Sequence, residues 1–146
     1  MPEPIKQQIM DRVVTTLTPL VTAATFRSLS RENDRLRDTK ALPALMIADG
    51  PEITYNKTDT VWTCRFPLEI RIIFAKSRNA GAQKDFLVAE VQEALEADIT
   101  LAGLGRILNA GNEQPSTSAD HEQTHRTLLT YTIEYTRKIA DPYLSS

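Results

Sequence analysis

The sequence is poor in the residues that cross-link small domains or anchor them in membranes. Cys64 is the only cysteine among the 146 residues, so one chain can form neither an internal disulfide nor a cluster of thiolate metal ligands. The chain has no apolar run of roughly 18 residues, which a membrane helix needs, and residues 1–14 lack the continuous apolar core of a signal peptide. We therefore expect a protein of a reducing cytoplasm that neither spans a membrane nor follows a standard secretion signal.

The sequence also lacks an excess of charge of one sign. The 17 basic and 19 acidic residues give a formal net charge of −2, which argues against a protein that neutralises nucleic-acid phosphates with a basic surface. A hydrophobic fraction of 41% and a charged fraction of 25% are ordinary for globular proteins. A chain of this length can bury a core without metal or disulfides, so we expect one domain over residues 1–146.

The strongest positive signal is a period of two near the C-terminus. Within the segment 125–143, apolar and polar residues alternate from 128 to 137, which predicts a strand with one buried and one wet face. Residues 66–74 alternate in the same way. We predict that the two segments pair antiparallel in the middle of one sheet. The buried row of the later strand is predicted to be Leu129, Tyr131, Ile133 and Tyr135.

Two segments have the spacing of amphipathic helices. From Pro4 to about Thr18 apolar residues recur every four positions, and Pro19 predicts the end of that helix because proline removes a hydrogen bond. Residues 83–98 place Leu87, Val91 and Leu95 on one face. Both stripes need a platform, so we predict an α+β fold: a single antiparallel (mixed) sheet with two main helices packed on one face.

Shorter segments complete the predicted order. Residues 25–31 favour a short strand, and Leu42–Asp49 reads as a buried strand closed by the turn 49–51. Residues 52–62 suit a hairpin or a polar protruding loop. Residues 100–112 predict a helical turn and then a strand from about Gly105. The polar segment from about 113 to 124 has no periodic signal and is predicted to be a flexible connection.

Candidate chemical groups do not converge in the sequence. His121 and His125 have the four-residue spacing of two metal ligands, but their segment has no apolar face to dock a helix. Cys64 lies between apolar residues of a predicted strand, which favours a core position over a nucleophile. The glycines and the scattered acids match no phosphate loop and no carboxylate pair: Gly81, Gly103, Gly105, Gly111, Asp11, Glu69, Glu90, Glu134 and Asp141. We predict no enzyme activity, no cofactor and no metal site.

Two polar surfaces stay open to more than one interpretation. The segment 31–40 carries charge of both signs and is either a solvated loop or a contact surface. The polar face of the C-terminal strand, which includes Thr130, Thr132 and Thr136, is either an ordinary wet face or the lining of a subunit contact or hydrated channel.

The layout resembles the tail terminator proteins of long-tailed bacteriophages, which are also called tail completion or minor tail proteins. The resemblance rests on the leading amphipathic helix, the LPAL strand at 42–45, the strand FPLEIRIIF at 66–74, a helix from near Lys84, and the closing strand that ends in TRKIADPY. It extends over nearly the whole chain, from Ile5 to Tyr143. Its most similar part is the strand 128–137 followed by 141–143.

The resemblance implies a structural virion protein, made in the host cytoplasm. It implies a ring, as a homohexamer, that caps the head-proximal end of the tail tube, stops tube polymerisation and joins the tail to the neck. The partners implied are sibling subunits, the tail tube protein and a neck or connector protein, with the tail sheath protein as a further candidate. Genomic DNA would pass through the lumen without sequence-specific binding.

Two alternatives accompany this expectation. The first is a head–tail connector component of the neck, and the second is a small-ligand-binding or enzymatic α+β domain. A ring needs contacts that close, with one patch meeting a different patch on the next subunit, and loops of mixed charge can fix their register. The candidate interface residues are Arg31, Glu32, Asp34, Arg35, Arg37, Tyr55, Asn56, Lys57, Lys76, Arg78, Arg137, Asp141 and Tyr143.

Overall fold

The computed structural model describes residues 4–31, 43–57, 60–75, 78–109, 112–115 and 124–138. These residues form two α-helices on a mixed seven-stranded sheet, which confirms the predicted α+β class. No described helix is long and apolar enough to cross a membrane. In chain order the elements are α1 (Ile5–Thr22), β1 (Ser28–Arg31), β2 (Ala44–Asp49), β3 (Ile53–Lys57), β4 (Val61–Ala75), α2 (Ala80–Glu96), a 3-10 turn (Leu101–Gly103), β5 (Arg106–Ile107), β6 (Asn112–Pro115) and β7 (Thr124–Lys138).

Strands β4 and β7 form the centre of the sheet. Each has 15 residues, and they pair antiparallel along their whole length, from Val61 opposite Lys138 to Ala75 opposite Thr124. The predicted central pair is therefore confirmed. Burial follows the period of two, because the apolar row of β7 and the even-numbered residues of β4 from 64 to 74 are buried under the helices.

Shorter strands flank the central pair on both sides. Strands β2 and β3 pair one after the other with the same edge of β4, and β5 and β6 do the same along β7. Between β5 and β6, the backbone of Thr132 is satisfied by Leu108 and by the side-chain oxygen of Asn109, which accepts at 2.7 Å. Strand β1 pairs parallel with β2, which makes the sheet mixed. The hairpin predicted at 52–62 and the strand at 42–49 are confirmed over β3–β4 and β2.

Both helices pack on the same face of the sheet, as predicted. The apolar stripe of α1 and the stripe of α2 join the buried row of the sheet in one core. Helix α2 is longer at its N-terminus than predicted, since it begins at Ala80. The residues that α1 buries are Ile5, Ile9, Met10, Val13, Leu17 and Leu20, and those that α2 buries are Leu87, Val88, Val91 and Leu95.

Pro19 does not end α1, contrary to the prediction. The helix continues to Thr22, and the carbonyl oxygen of Pro19 accepts a hydrogen bond of 2.9 Å from the amide of Ala23. Proline removes only the bond that its own missing N–H would have made to Thr15. Leu20, one residue later, is buried in the core. The burial of Leu20 offsets the free energy of the lost hydrogen bond, so extension of the helix past Pro19 is favourable.

The flexible connection predicted at 113–124 is wrong over its first part. Residues 112–115 form β6, which pairs antiparallel with residues 127–130 of β7. A short edge strand is held by the backbone of its neighbour and needs no apolar alternation, so its sequence carries no signal. The rest of that segment, 116–123, lies outside the described residues. At the other edge, the strand predicted at 25–31 is confirmed only for Ser28–Arg31.

Candidate assembly surface

The face of the sheet opposite the helices is unusual in its mixture of charged and apolar side chains. No described helix packs on it, and the pairing of the strands decides which side chains it carries, because directly opposed residues share a face. It bears five basic and two acidic side chains. These are Arg65, Arg71, Arg106, Arg126 and Lys138 on the basic side and Glu69 and Glu134 on the acidic side.

A three-residue ion cluster crosses this sheet face. Glu134 on β7 accepts a hydrogen bond of 2.9 Å from Nε of Arg65 on β4 and one of 3.1 Å from Arg106 on β5. Glu134 is only 15% exposed, whereas Arg106 is 62% exposed. The two arginines occupy both carboxylate oxygens, so the cluster holds the three strands together and leaves a net positive charge at the surface.

The other charges of the sheet face have no partner in the described part of the chain. Arg71, Arg126 and Lys138 make no ion pair there, and Arg71 is exposed. The face also carries one exposed large apolar side chain, Ile53 on β3 beside Arg65, which is 67% exposed, whereas Ile73 and Ala44 on the same face are buried in a small second cluster. The face therefore combines apolar area with unpaired positive charge.

The outer face of α2 has the opposite character. Ala82, Phe86 and Ala89 form an exposed apolar stripe, and Phe86 is 56% exposed. Acidic residues surround the stripe, and Glu90, Glu93 and Glu96 make no ion pair with any residue that the structure describes.

The one basic residue of α2 is already bound to a neighbouring acid. Lys84 contacts Glu113 of β6 at 2.7 Å, and the hydrogen bond to Glu113 raises the pKa of Lys84. Asp85 lies farther away, at 3.7 Å from the ammonium nitrogen. Lys84 therefore leaves the acids of the outer helix surface uncompensated.

The C-terminal part of helix α1 presents a surface without charge. Residues 13–26 contain no charged side chain, and the outward positions line a shallow apolar groove. The threonines bend their hydroxyls back to the helix: Thr15 donates to the carbonyl of Asp11 at 3.0 Å, and Thr18 to that of Val14 at 2.7 Å. Their methyl groups are left to face outward. The groove is lined by Thr15, Thr18, Pro19, Thr22 and Ala23.

Arg31, a predicted interface residue, lies beside acids of its own chain. Its guanidinium is 3.8 Å from Asp49 and 4.0 Å from Asp11, while Lys6 of α1 contacts Asp49 at 2.9 Å. These contacts tie the start of α1 to the edge of the sheet. Arg31 therefore has a structural use in the monomer, and its use in assembly stays a prediction.

The other predicted interface residues that the structure describes do not form one patch with Arg31. Arg137 stacks on Trp62 at 4.6 Å near the start of β4, and Arg78 is exposed beyond the end of that strand, at Ala75. Tyr55, Asn56 and Lys57 belong to β3. The remaining candidates lie outside the described residues: Glu32, Asp34, Arg35, Arg37, Lys76, Asp141 and Tyr143.

The candidate chemical groups of the sequence are separated in the fold. Cys64 is fully buried in the core, as predicted, and burial raises the pKa of its thiol. His125 stacks on Phe74 with ring centres 5.4 Å apart, and His121 lies outside the described residues. In the part of the chain that the structure describes, no three His, Cys, Asp or Glu side chains are grouped to hold a metal ion.

Comparison with known proteins supports the fold only. No protein-family model matches the sequence, and no curated protein matches it. One solved structure has a TM-score of 0.57 and 14% sequence identity, over 88% of this chain and 94% of that chain. The name of that protein states no function. At this identity the similarity shows a shared fold and carries no activity.

The sequence interpretation found only the β7 part of the sheet face, with Thr130, Thr132 and Thr136, and missed the apolar stripe on α2. A signal existed for the helix layer: residues 13–26 are free of charge, and Phe86 faces away from the stripe of Leu87 and Val91. The sheet face gave a weaker signal, because its arginines lie on three strands, β4, β5 and β7, that are far apart in the sequence. Only the pairing of β7 with β4 and β5 brings them together.

Proposed function

We propose that this chain is a structural virion protein that forms a ring at the head-proximal end of a phage tail tube. The ring ends tube polymerisation and joins the tail to the neck. The observation that carries the proposal is the pair of unlike surfaces on one small domain, the acidic outer surface of α2 and a basic, partly apolar sheet face. Unlike surfaces on opposite sides of a subunit are what a closed ring of identical copies requires.

The resemblance to tail terminator proteins supports the same role. It covers the order of elements from Ile5 to Tyr143, and the parts on which it rests correspond to α1, β2, β4, α2 and β7. The described residues bring together no nucleophile, base and orienting group. The proposal therefore rests on the outer surface of α2 and on the sheet face.

The partners follow from that role. Sibling subunits form the ring, as a homohexamer, and its two rims meet the tail tube protein and a neck or connector protein, with the tail sheath protein as a further candidate. Genomic DNA passes through the lumen without sequence-specific contacts. The protein is then made in the host cytoplasm and ends in the virion.

Light scattering after size exclusion tests the ring directly. We expect a mass of several subunits, and electron microscopy of the same fraction should show rings with a central hole. Purified tail tubes incubated with the protein should be capped at one end. A strict monomer over a wide concentration range that also leaves tubes uncapped would refute the proposal.

A head–tail connector component is the alternative within this class. A connector should bind DNA-filled heads that lack tails, whereas a terminator should bind tail tubes that lack heads. Sedimentation of the protein with each particle separates the two roles.

A further inference from the structure

We infer that the subunits of the proposed ring meet face to back, with the outer surface of α2 of one copy docked on the open sheet face of the next. This inference rests on the proposed function and adds to it the two surfaces that make the contact. The occupant of the sheet face is thus a second copy of this chain.

The α2 side offers an apolar centre with an acidic rim. Phe86 lies between Ala82 and Ala89 and is 56% exposed, and aromatic residues of this kind are typical anchors of interfaces. Glu93 and Glu96 are exposed beyond the stripe and have no ion-pair partner among the described residues. Such a rim attracts a basic surface.

The sheet side is complementary in both respects. Its basic residues outnumber its acids, and Arg71 projects from the central strand β4 without an ion pair in the described ranges. Leu128, directly opposite Arg71 on β7, adds partly exposed apolar area beside it, and Pro67 adds more farther along β4. Antiparallel sheets can leave one face in water. A face that mixes unpaired arginines with apolar groups, however, is more favourably covered by a protein surface with acidic and apolar side chains than by water.

Charge also decides the arrangement of the two copies. In an isologous contact each surface meets itself, so α2 against α2 would oppose acids, and sheet against sheet would oppose arginines. Like charges across an interface are strongly unfavourable. The face-to-back contact brings opposite charges together, and because it is heterologous it leaves one free surface at each end of every dimer. Repetition of the contact closes a ring when the rotation per subunit allows it.

Two surface variants test the contact. The α2 variant carries Phe86→Lys and Glu93→Lys, and the sheet variant carries Arg71→Glu. Each keeps one surface intact and changes the charge of the other. We expect each variant alone to be a monomer, with the subunit dissociation constant raised at least about tenfold. Mixed together, the two should associate through the one pair of intact surfaces that the mixture contains.

A matched control and milder variants keep the test decisive. Glu52→Lys reverses an exposed acid in the turn between β2 and β3 and should keep the wild-type mass. Circular dichroism and melting show whether each variant folds. Should a reversal fail to fold, Glu93→Gln and Arg71→Gln remove the same charges with less disturbance, and we expect each to weaken the assembly.

The outcomes separate this inference from the proposed function. If each surface variant still forms a ring of the wild-type mass, the face-to-back contact is wrong. The proposed ring role is then unaffected. A mixture that stays monomeric would also overturn the contact. A wild-type monomer that leaves tubes uncapped would refute both proposals.

DNA is the competing occupant of the basic sheet face. Fluorescence anisotropy with a duplex of random sequence measures it. We expect weak binding that Arg71→Glu does not change. Tight binding that Arg71→Glu abolishes, with the assembly mass unchanged, would assign the sheet face to DNA instead of a sibling subunit.

Discussion

Gly50 lies directly against Pro67 where β2 gives way to β3 along the edge of β4. The amide of Gly50 donates a hydrogen bond of 2.9 Å to the carbonyl oxygen of Pro67. Pro67 has no N–H to return the bond, so the carbonyl of Gly50 needs another donor. Lys6 of α1 supplies it at 3.1 Å and also contacts the neighbouring Asp49 at 2.9 Å. A proline in the central strand is thus tolerated because a helix completes the bonding.

We predict that Gly50→Ala destabilises the domain. A β carbon at Gly50 would overlap Cγ of Pro67, a ring that cannot turn away. Forcing the two strands apart at this point should cost about 1–3 kcal/mol, the usual range for overpacking. Urea denaturation measures the change as a lower midpoint.

Two comparisons assign that loss to the contact with Pro67. Gly81→Ala is the matched control, since a β carbon there meets open space at the start of α2, and alanine in a helix should stabilise by about 0.5–1 kcal/mol. In a Pro67→Ala background the cost of Gly50→Ala should shrink. An equal cost in both backgrounds would contradict the proposed overlap.

Asp98 should make stability depend on pH in the acid range. It accepts hydrogen bonds from Arg12 at 2.8 Å and from Thr16 at 3.0 Å, and the bond from Arg12 is the main reason that the pKa of Asp98 lies below its ordinary value of 3.8. Because the pKa of Asp98 is lower in the folded state, its ionised carboxylate stabilises the fold at pH values above the unfolded-state pKa. That stability is lost as the pH falls through the folded-state pKa.

The variant Asp98→Asn tests that contribution. At neutral pH it should lower the free energy of unfolding by about 1 kcal/mol, a modest value because Arg12 is partly exposed. The difference between the wild type and the variant should shrink below about pH 4. A difference that stays constant down to pH 2 would show that the carboxylate charge is not the cause.

Tyr131 carries a buried hydroxyl that has no hydrogen-bond partner among the residues that the structure describes. The residue is fully buried beneath the helices, and an unpartnered hydroxyl in such a place costs free energy. We therefore predict that Tyr131→Phe leaves stability unchanged or raises it by up to about 1 kcal/mol. Tyr131→Ala, which removes the ring as well, should lose about 3–5 kcal/mol.

The same residue predicts a response to alkaline pH. Burial, with a smaller contribution from Glu96, raises the pKa of Tyr131 from 10.0 to about 12. The unfolded chain therefore releases this proton first, so stability should fall as pH rises between about 10 and 12. Denaturation curves across that window should be flatter for Tyr131→Phe. Identical slopes for both proteins would contradict the assignment.

The sequence was most informative where one chemical pattern decides the structure. Alternation in 66–74 and 128–137 was enough to predict the central pair, because a half-buried strand must put its apolar residues on one side. The same physics located α2, whose stripe includes Leu87 and Val91. Strand β6 could not be found this way, because backbone pairing with β7 holds it in place and its side chains show no apolar alternation.

The candidate surface was harder to predict because it depends on register. Arg65 and Glu134 are 69 positions apart and meet only when β4 and β7 pair in one alignment. A shift of one residue would move every side chain to the other face. The candidate interface residues were instead chosen largely from charged loops, and two of the described ones, Arg31 and Arg137, are engaged within their own chain.

Pro19 offers a last test that links stability to assembly. It lies inside α1, exposed in the groove of the charge-free surface. Pro19→Ala restores the missing N–H opposite the carbonyl of Thr15, so we expect a gain in stability of about 1–3 kcal/mol, reduced by the greater freedom of the unfolded chain. Thr18→Ala in the same groove is the control and should change stability by less. If α1 stays outside the face-to-back contact, the Pro19→Ala variant keeps the wild-type assembly mass. If Pro19→Ala is more stable but monomeric, the groove belongs to the subunit interface instead.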